Sequence, residues 1–147
     1  SLFKGPRLVA GKERHADLIG SLFTNISNAY VSLNDLDNAL LYALKAEKNN
    51  EADKDTADLG GIYNTIGEIY KNKMEPEKSI GYFKQAIDYH RYAGDEGKAA
   101  SSTTSLSLVY LSMKDIDSAL YYQSLTLGYA KAHKAHEFSN YCYAITS

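Results

Sequence analysis

His133, His136 and Glu137 combine two imidazoles and a carboxylate at a spacing that suits metal ligation from one helical face. They fall, however, in a polar stretch read below as a loop, where solvated side chains are the expectation. Three pairs of acids are also placed for chemistry: Asp35 with Asp37, Glu75 with Glu77, and Asp115 with Asp117. Two carboxylates so close together can divide general acid and general base work. These pairs recur at one fixed interval, which points to helix capping instead. Serine, histidine and aspartate are all present, but no strand-turn-helix nucleophile elbow accompanies them. Gly60-Gly61 lies in no phosphate-binding loop. Cys142 reads as a small buried residue, and the thirteen tyrosines fall mostly on packing positions. The sequence therefore assigns no catalytic, cofactor-binding or metal-binding residue, and the expectation is a protein that is not an enzyme.

The elements that carry these residues are set by a repeat. Tyr30, Tyr70 and Tyr110 are 40 residues apart (70 − 30 and 110 − 70), and three windows align around them without a gap. They are FTNISNAYVSLNDLDNALLYALKA from Phe23, YNTIGEIYKNKMEPEKSIGYFKQA from Tyr63 and TTSLSLVYLSMKDIDSALYYQSLT from Thr103. A period of this size signals a solenoid, in which each unit buries its apolar face only against its neighbours. Apolar residues in the first half of each window follow helical spacing, as in Phe23, Ile26 and Tyr30. Breaks come at Asn34-Asp35, Met74-Glu75 and Lys114-Asp115, where an acid suits a helix N-terminus and Pro76 suits a first helical position. Ser27, Gly67 and Ser107 should face Ala39, Ser79 and Ala119 where two helices cross closely.

The expected segments are 6–14, 17–32, 35–50, 56–72, 75–93, 96–113, 115–132 and 137–147, with no strand. The domain reading is one array: a half-unit at 1–16, units at 17–56, 57–96 and 97–136, and a half-unit at 137–147. Pro6 should start the first helix and leave Ser1–Gly5 irregular, because proline inside a helix breaks the ladder. Composition agrees with a globular chain of 147 residues, 44% hydrophobic and 23% charged, with a net charge of −2. There is no dense basic stripe for nucleic acid and no apolar run of membrane-spanning length. A single cysteine leaves the redox compartment open, and the compartment itself, cytoplasmic or periplasmic, is not fixed.

The pattern aromatic-x-x-aliphatic-small-x-x-Tyr, with small residues further on, resembles the tetratricopeptide repeat. Phe23, Ile26, Ser27, Tyr30, Ala39 and Ala46 carry the resemblance in the first unit. Tyr63, Ile66, Gly67, Tyr70, Phe83 and Ala86 carry it in the second, and Leu106, Ser107, Tyr110 and Ala119 in the third. Thr103, Ala43 and Gln123 depart from the family's aromatics, and the period exceeds the standard 34. This long-period variety is similar to repeats of bacterial signalling proteins. The resemblance implies an all-α right-handed superhelical solenoid that binds a protein or peptide, as the sensing or docking region of a larger bacterial signalling protein. A structural scaffold, self-associating through exposed array ends, is the alternative. The resemblance also implies a groove lined by the first helices, with Thr24, Asn28, Asn64, Glu68, Lys71, Thr104 and Leu108 as candidate contacts. Asn28 and Asn64 would hydrogen-bond an extended peptide backbone. Of the carboxylate clamp found in some co-chaperone members, only Asn28 is matched.

Overall fold

The computed structural model describes residues 4–52 and 58–146. Six helices follow one another: α1 (Lys4–Ser32), α2 (Leu36–Ala52), α3 (Leu59–Asn72), α4 (Pro76–Tyr92), α5 (Glu96–Ser112) and α6 (Ile116–Thr146). No strand occurs among the described residues. Pairs α1/α2, α3/α4 and α5/α6 form hairpins, and α2/α3 and α4/α5 join them into an α solenoid.

Each hairpin is made by one recurring turn. Asn34, Met74 and Lys114 take φ of 57°, 61° and 62°, at intervals of 40 residues, and Gly94 takes 76° between α4 and α5. A residue in this left-handed region lets its own amide and the next one turn back onto the helix just ended. Thus Asn34 N donates to Val31 O at 2.9 Å and Asp35 N to Tyr30 O at 2.9 Å. The same two bonds recur at Met74 and Glu75, at Gly94 and Asp95, and at Lys114 and Asp115. The residue that closes one helix then opens the next. Asp35 accepts from Asn38 N, Asp95 from Lys98 N and Asp115 from Ser118 N, at 3.3, 3.0 and 3.2 Å. Glu75 makes no such cap; there Pro76 occupies the first turn and Glu75 pairs with Lys78. Asp35, Asp95 and Asp115 are thus cap residues, and Glu75 holds the same turn position without capping.

The same rule explains a difference from the sequence expectation. Eight segments were expected, but 6–14 and 17–32 are one helix, and so are 115–132 and 137–147. A helix stops where a left-handed residue and a following cap take over its last carbonyls. His15-Ala16 and His133–His136 carry neither glycine nor asparagine, and the acids that follow them, Asp17 and Glu137, open no new helix. The polar stretch at 133–136 is accordingly helical, not a loop. Pro6 lies in the first turn of α1, where it has no helical amide bond to lose, and Gly5 is helical as well. The expectations for residues 1–3, for the 53–57 connection and for the side chain of Cys142 lie outside the described residues.

Hairpin packing follows from small residues at the crossing. Ser27 Oγ donates to Ala39 O at 2.7 Å and Ser79 Oγ to Gly67 O at 2.8 Å, so a buried hydroxyl bridges the two helices in each case. Next to the crossing two tyrosines stack: Tyr30 on Tyr42, Tyr70 on Tyr82 and Tyr110 on Tyr122, with centroids 5.6, 5.6 and 5.3 Å apart. Between hairpins, Ala39, Ala43 and Ala46 of α2 pack with Leu59, Ile62, Tyr63, Ile66 and Ile69 of α3. Phe83 and Ile87 of α4 pack with Leu106 and Val109 of α5.

Two expected outcomes follow from this packing. A β-carbon on Gly67 would lie 2.9 Å from Cδ1 and Cε1 of the fully buried Phe83 ring. Gly67→Leu should overpack the second hairpin and cost about 1–3 kcal/mol; an unchanged denaturant midpoint would show the crossing is misassigned. His90, buried against Gly60, has its imidazole pKa held below the usual value, first by burial and then by Lys98, with Asp95 opposing. The unfolded chain therefore binds more protons below about pH 6.5, and stability should fall as pH drops through that region. Equilibrium unfolding from neutral to mildly acidic pH should show this loss. It should be smaller in His90→Asn, which installs the residue the first hairpin carries at Asn50, so equal pH slopes would refute it.

Candidate functional site

First helices of successive hairpins touch one another, α1 with α3 and α3 with α5. Second helices do not touch, among the described residues. The layer of first helices is therefore the inner side of the curve, and α1, α3 and α5 line its surface. Ser102 Oγ of α5 donates to Asn64 Oδ1 of α3 at 2.8 Å and ties two of these helices together.

The candidate contacts fall at different places on this surface. Thr24 and Thr104 turn their hydroxyls back to their own helices, to Gly20 O at 3.0 Å and Ala100 O at 2.9 Å. Such bonds quiet the hydroxyl as a donor to a ligand. Asn28 is exposed on α1. Asn64 is half-buried, and its carbonyl is committed to Ser102. Glu68 and Lys71 pair with each other on α3. Leu108 is 51% exposed on α5.

Only Lys71 and Leu108 of these are brought to one cavity. It has a volume of about 330 Å³ and lies between the C-terminal ends of α3 and α5 and the turn into α4. Met74, Pro76, Val109, Ser112 and Met113 complete its wall. Met74 is 87% exposed at its left-handed turn position, so a flexible thioether is held out at the rim. The sequence reading missed Met74 and Met113 because both stand at breaks between helices.

The equivalent place one unit earlier shows what is special here. There, Asn34, Asp35, Leu36, Asp37, Lys73 and Glu75 line an open polar cleft. Lys73 forms an ion pair with Asp37 across it. That contact raises the Lys73 pKa and lowers that of Asp37, and both groups stay charged. Stepping forward 40 residues replaces Asn34 by Met74, Glu68 by Leu108 and Lys73 by Met113. The framework holds with a polar joint, so the apolar lining at the second joint is not required by the fold. Comparing the two joints position by position is the signal that identifies it from sequence.

The histidine cluster has a different setting. His133 and His136 lie on α6 beside Ala93, Gly94, Asp95 and Glu96 and line an open cleft. His133 Nε2 is 3.1 Å from Glu137 Oε1, and His136 Nδ1 is 3.1 Å from Asn140 Nδ2. Among the described residues, no group of three or more His, Cys, Asp or Glu side chains is placed to hold a metal ion. One acid of the first pair and one of the third are held ionised by partners. Hydrogen bonds from Ser118 hold the Asp115 carboxyl below the usual range, and Lys73 does the same for Asp37. Carboxyls held ionised in this way are poor proton donors near neutrality. No described helix is long and apolar enough to cross a membrane.

Comparison with known proteins agrees with this geometry. The tetratricopeptide repeat family matches at residues 20–53 and 60–90. No curated protein matches the sequence. The crystal structure of BtubC (BKLC) from P. vanneervenii is similar, with a TM-score of 0.74 and 21% identity over 80% of this chain and 48% of that one. The chain thus spans about half the length of that protein, and the likeness is one of fold. Tetratricopeptide repeats generally mediate protein–protein interaction or scaffolding, and proteins built from them are typically not enzymes. The paired first helices, the small-residue crossings and the family match meet in the same residues: the stretches 20–53 and 60–90 of this chain are tetratricopeptide repeats.

Proposed function

We propose that the inner surface of α1, α3 and α5 docks an extended segment of a partner protein, anchored by an apolar side chain in the cavity between α3 and α5. In this reading the chain is the docking or sensing region of a larger bacterial signalling protein. The observation that carries it is the contrast between the two joints: a polar, ion-paired cleft at the first, and Met74, Leu108 and Met113 around an open cavity at the second. A volume of about 330 Å³ accommodates a leucine, methionine or phenylalanine side chain. Methionine walls adapt to any of these. Asn28 and Asn64 supply amide groups along the same surface for the partner's backbone. Lys71 is already paired with Glu68, so the surface offers a ligand little net charge.

The test uses labelled twelve-residue peptides, identical except for one central position, leucine in one and serine in the other. Burying a leucine side chain is worth about 1.5–3 kcal/mol, and about 1.4 kcal/mol is tenfold in affinity. Wild-type protein should bind the leucine peptide at least tenfold more tightly, with little dependence on salt. Leu108→Glu should erase that preference while leaving the helical circular dichroism unchanged. Met113→Lys is the sharper variant, because it installs the residue of the first joint opposite Glu77, the counterpart of Asp37. It should close the cavity and abolish the preference. Equal affinity of wild type and both variants for the two peptides would move binding away from this cavity.

A further inference from the structure

Methionine is the side chain with a thioether sulfur, and the 147 residues hold two, Met74 and Met113. Both line the cavity between α3 and α5. Met74 is 87% exposed and Met113 is 40% exposed, so solvent reaches each side chain. Neither is required by the fold. Met74 takes its positive φ at a turn where Asn34 and Lys114 take the same conformation in the adjoining hairpins. Met113 follows α5 as Lys73 follows α3 and Leu33 follows α1. All the thioether sulfur of the chain is therefore gathered at one cavity, in positions that other residue types fill elsewhere.

A thioether reacts with hydrogen peroxide. A sulfur lone pair attacks one peroxide oxygen, and the S–O bond forms as the O–O bond breaks. The departing hydroxide takes the proton left on the transferred oxygen and leaves as water. Sulfur is oxidised by two electrons and the peroxide is reduced by two. The product, a sulfoxide, replaces a flexible apolar side chain by a polar one. Of the two polar residues in the cavity wall, Lys71 is paired with Glu68, and the Ser112 hydroxyl donates to Val109 O at 2.6 Å. A sulfoxide oxygen here is solvated chiefly by water, which an entering apolar side chain would expel. An acceptor desolvated without a partner opposes binding.

We infer that Met74 and Met113 form a modification site: peroxide converts both to sulfoxides and closes the cavity to an apolar anchor, and a sulfoxide reductase reopens it. The inference rests on the docking proposed above and adds its control by oxidant. The fold survives the modification, because backbone bonds hold both turns. Met74 N donates to Lys71 O and Met113 N to Val109 O, each at 3.1 Å.

The test titrates the leucine and serine peptides against the 147-residue chain before peroxide, after it, and after repair. Peptide mapping should find both methionines oxidised, Met74 first because it is the more exposed. With the helical circular dichroism unchanged, the leucine preference should fall from about tenfold or more to about twofold or less. The two methionine sulfoxide reductases, one for each epimer, should restore it when supplied with a dithiol. The dithiol alone should not, which separates the sulfoxides from oxidation of the Cys142 thiol. Three results would overturn this inference and leave the docking reading standing: a fully oxidised chain that keeps the preference, a methionine that resists peroxide sufficient to oxidise free methionine, or recovery with dithiol alone. Absence of the preference before any peroxide would instead overturn the docking reading, and this inference with it.

Discussion

How closely the two helices of a hairpin approach at their crossing decides the rest of this structure. A buried hydroxyl spans the gap to a backbone carbonyl in two of the hairpins, Ser27 to Ala39 and Ser79 to Gly67. The donor sits on the first helix in one case and the second helix in the other, so the constraint is the distance and not the identity of a position. The side chain four residues along the second helix must then fit what faces it. Phe83 fills that place over Gly67, where even a β-carbon would collide. The small Ala43 stands at the same place in the hairpin of Ser27, and Gln123 meets Ser107 with Oε1 2.9 Å from its Oγ. Interiors tolerate little volume error, so a change on one helix has to be met on the other. The same spacing sets the tyrosine pairs in contact beside each turn.

That constraint is why much of the fold was legible in the sequence. Small residues at 27, 67 and 107, and again at 39, 79 and 119, recur because each hairpin meets the same steric limit. Of the departures from the family's aromatics, Gln123 meets Ser107 by a hydrogen bond and Ala43 packs in the cluster shared with α3. The ends were not legible for the same reason. A repeat extrapolated outward predicts a turn wherever the middle units have one, but a turn needs its own left-handed residue and cap. Met74 and Lys114 take that conformation without being glycine, because the two returning amide bonds and the following acid hold them there. At His15-Ala16 and His133–His136 an acid also follows, Asp17 and Glu137, but no left-handed residue forms, and α1 and α6 run on.

The candidate site was legible only in part. Lys71 and Leu108 could be placed from the spacing of the first helices. Asn64 could be placed too, but its bond to Ser102 depends on a neighbouring unit 38 residues away. Met74 and Met113 belong to turns, and a turn's side chains point where the next unit happens to lie. Periodicity within one unit says nothing about that; only a comparison between joints does.

The two joints also differ in their cores, and this bears on where a partner would bind. At the first, Glu47 takes the place that Ile87 holds at the second. Burial pushes the Glu47 carboxyl pKa up, Glu51 adds to this, and a hydrogen bond with Tyr63 opposes it. Tyr63 Oη also donates to Glu51 Oε1 at 3.4 Å. Half-burying a carboxylate near another carboxylate forfeits part of what an aliphatic side chain would contribute at the same place. The second joint keeps Ile87, Leu106 and Val109 in one apolar cluster. Among the described residues, α4 and α5 also pack more extensively than α2 and α3. The backbone under the cavity is held by this packing, while its exposed methionine side chains can adapt to a ligand. The ion pair of Lys73 and Asp37, exposed as it is, contributes little to stability. Its effect is to occupy with charge, at the first joint, the place that the second joint leaves open to an apolar side chain.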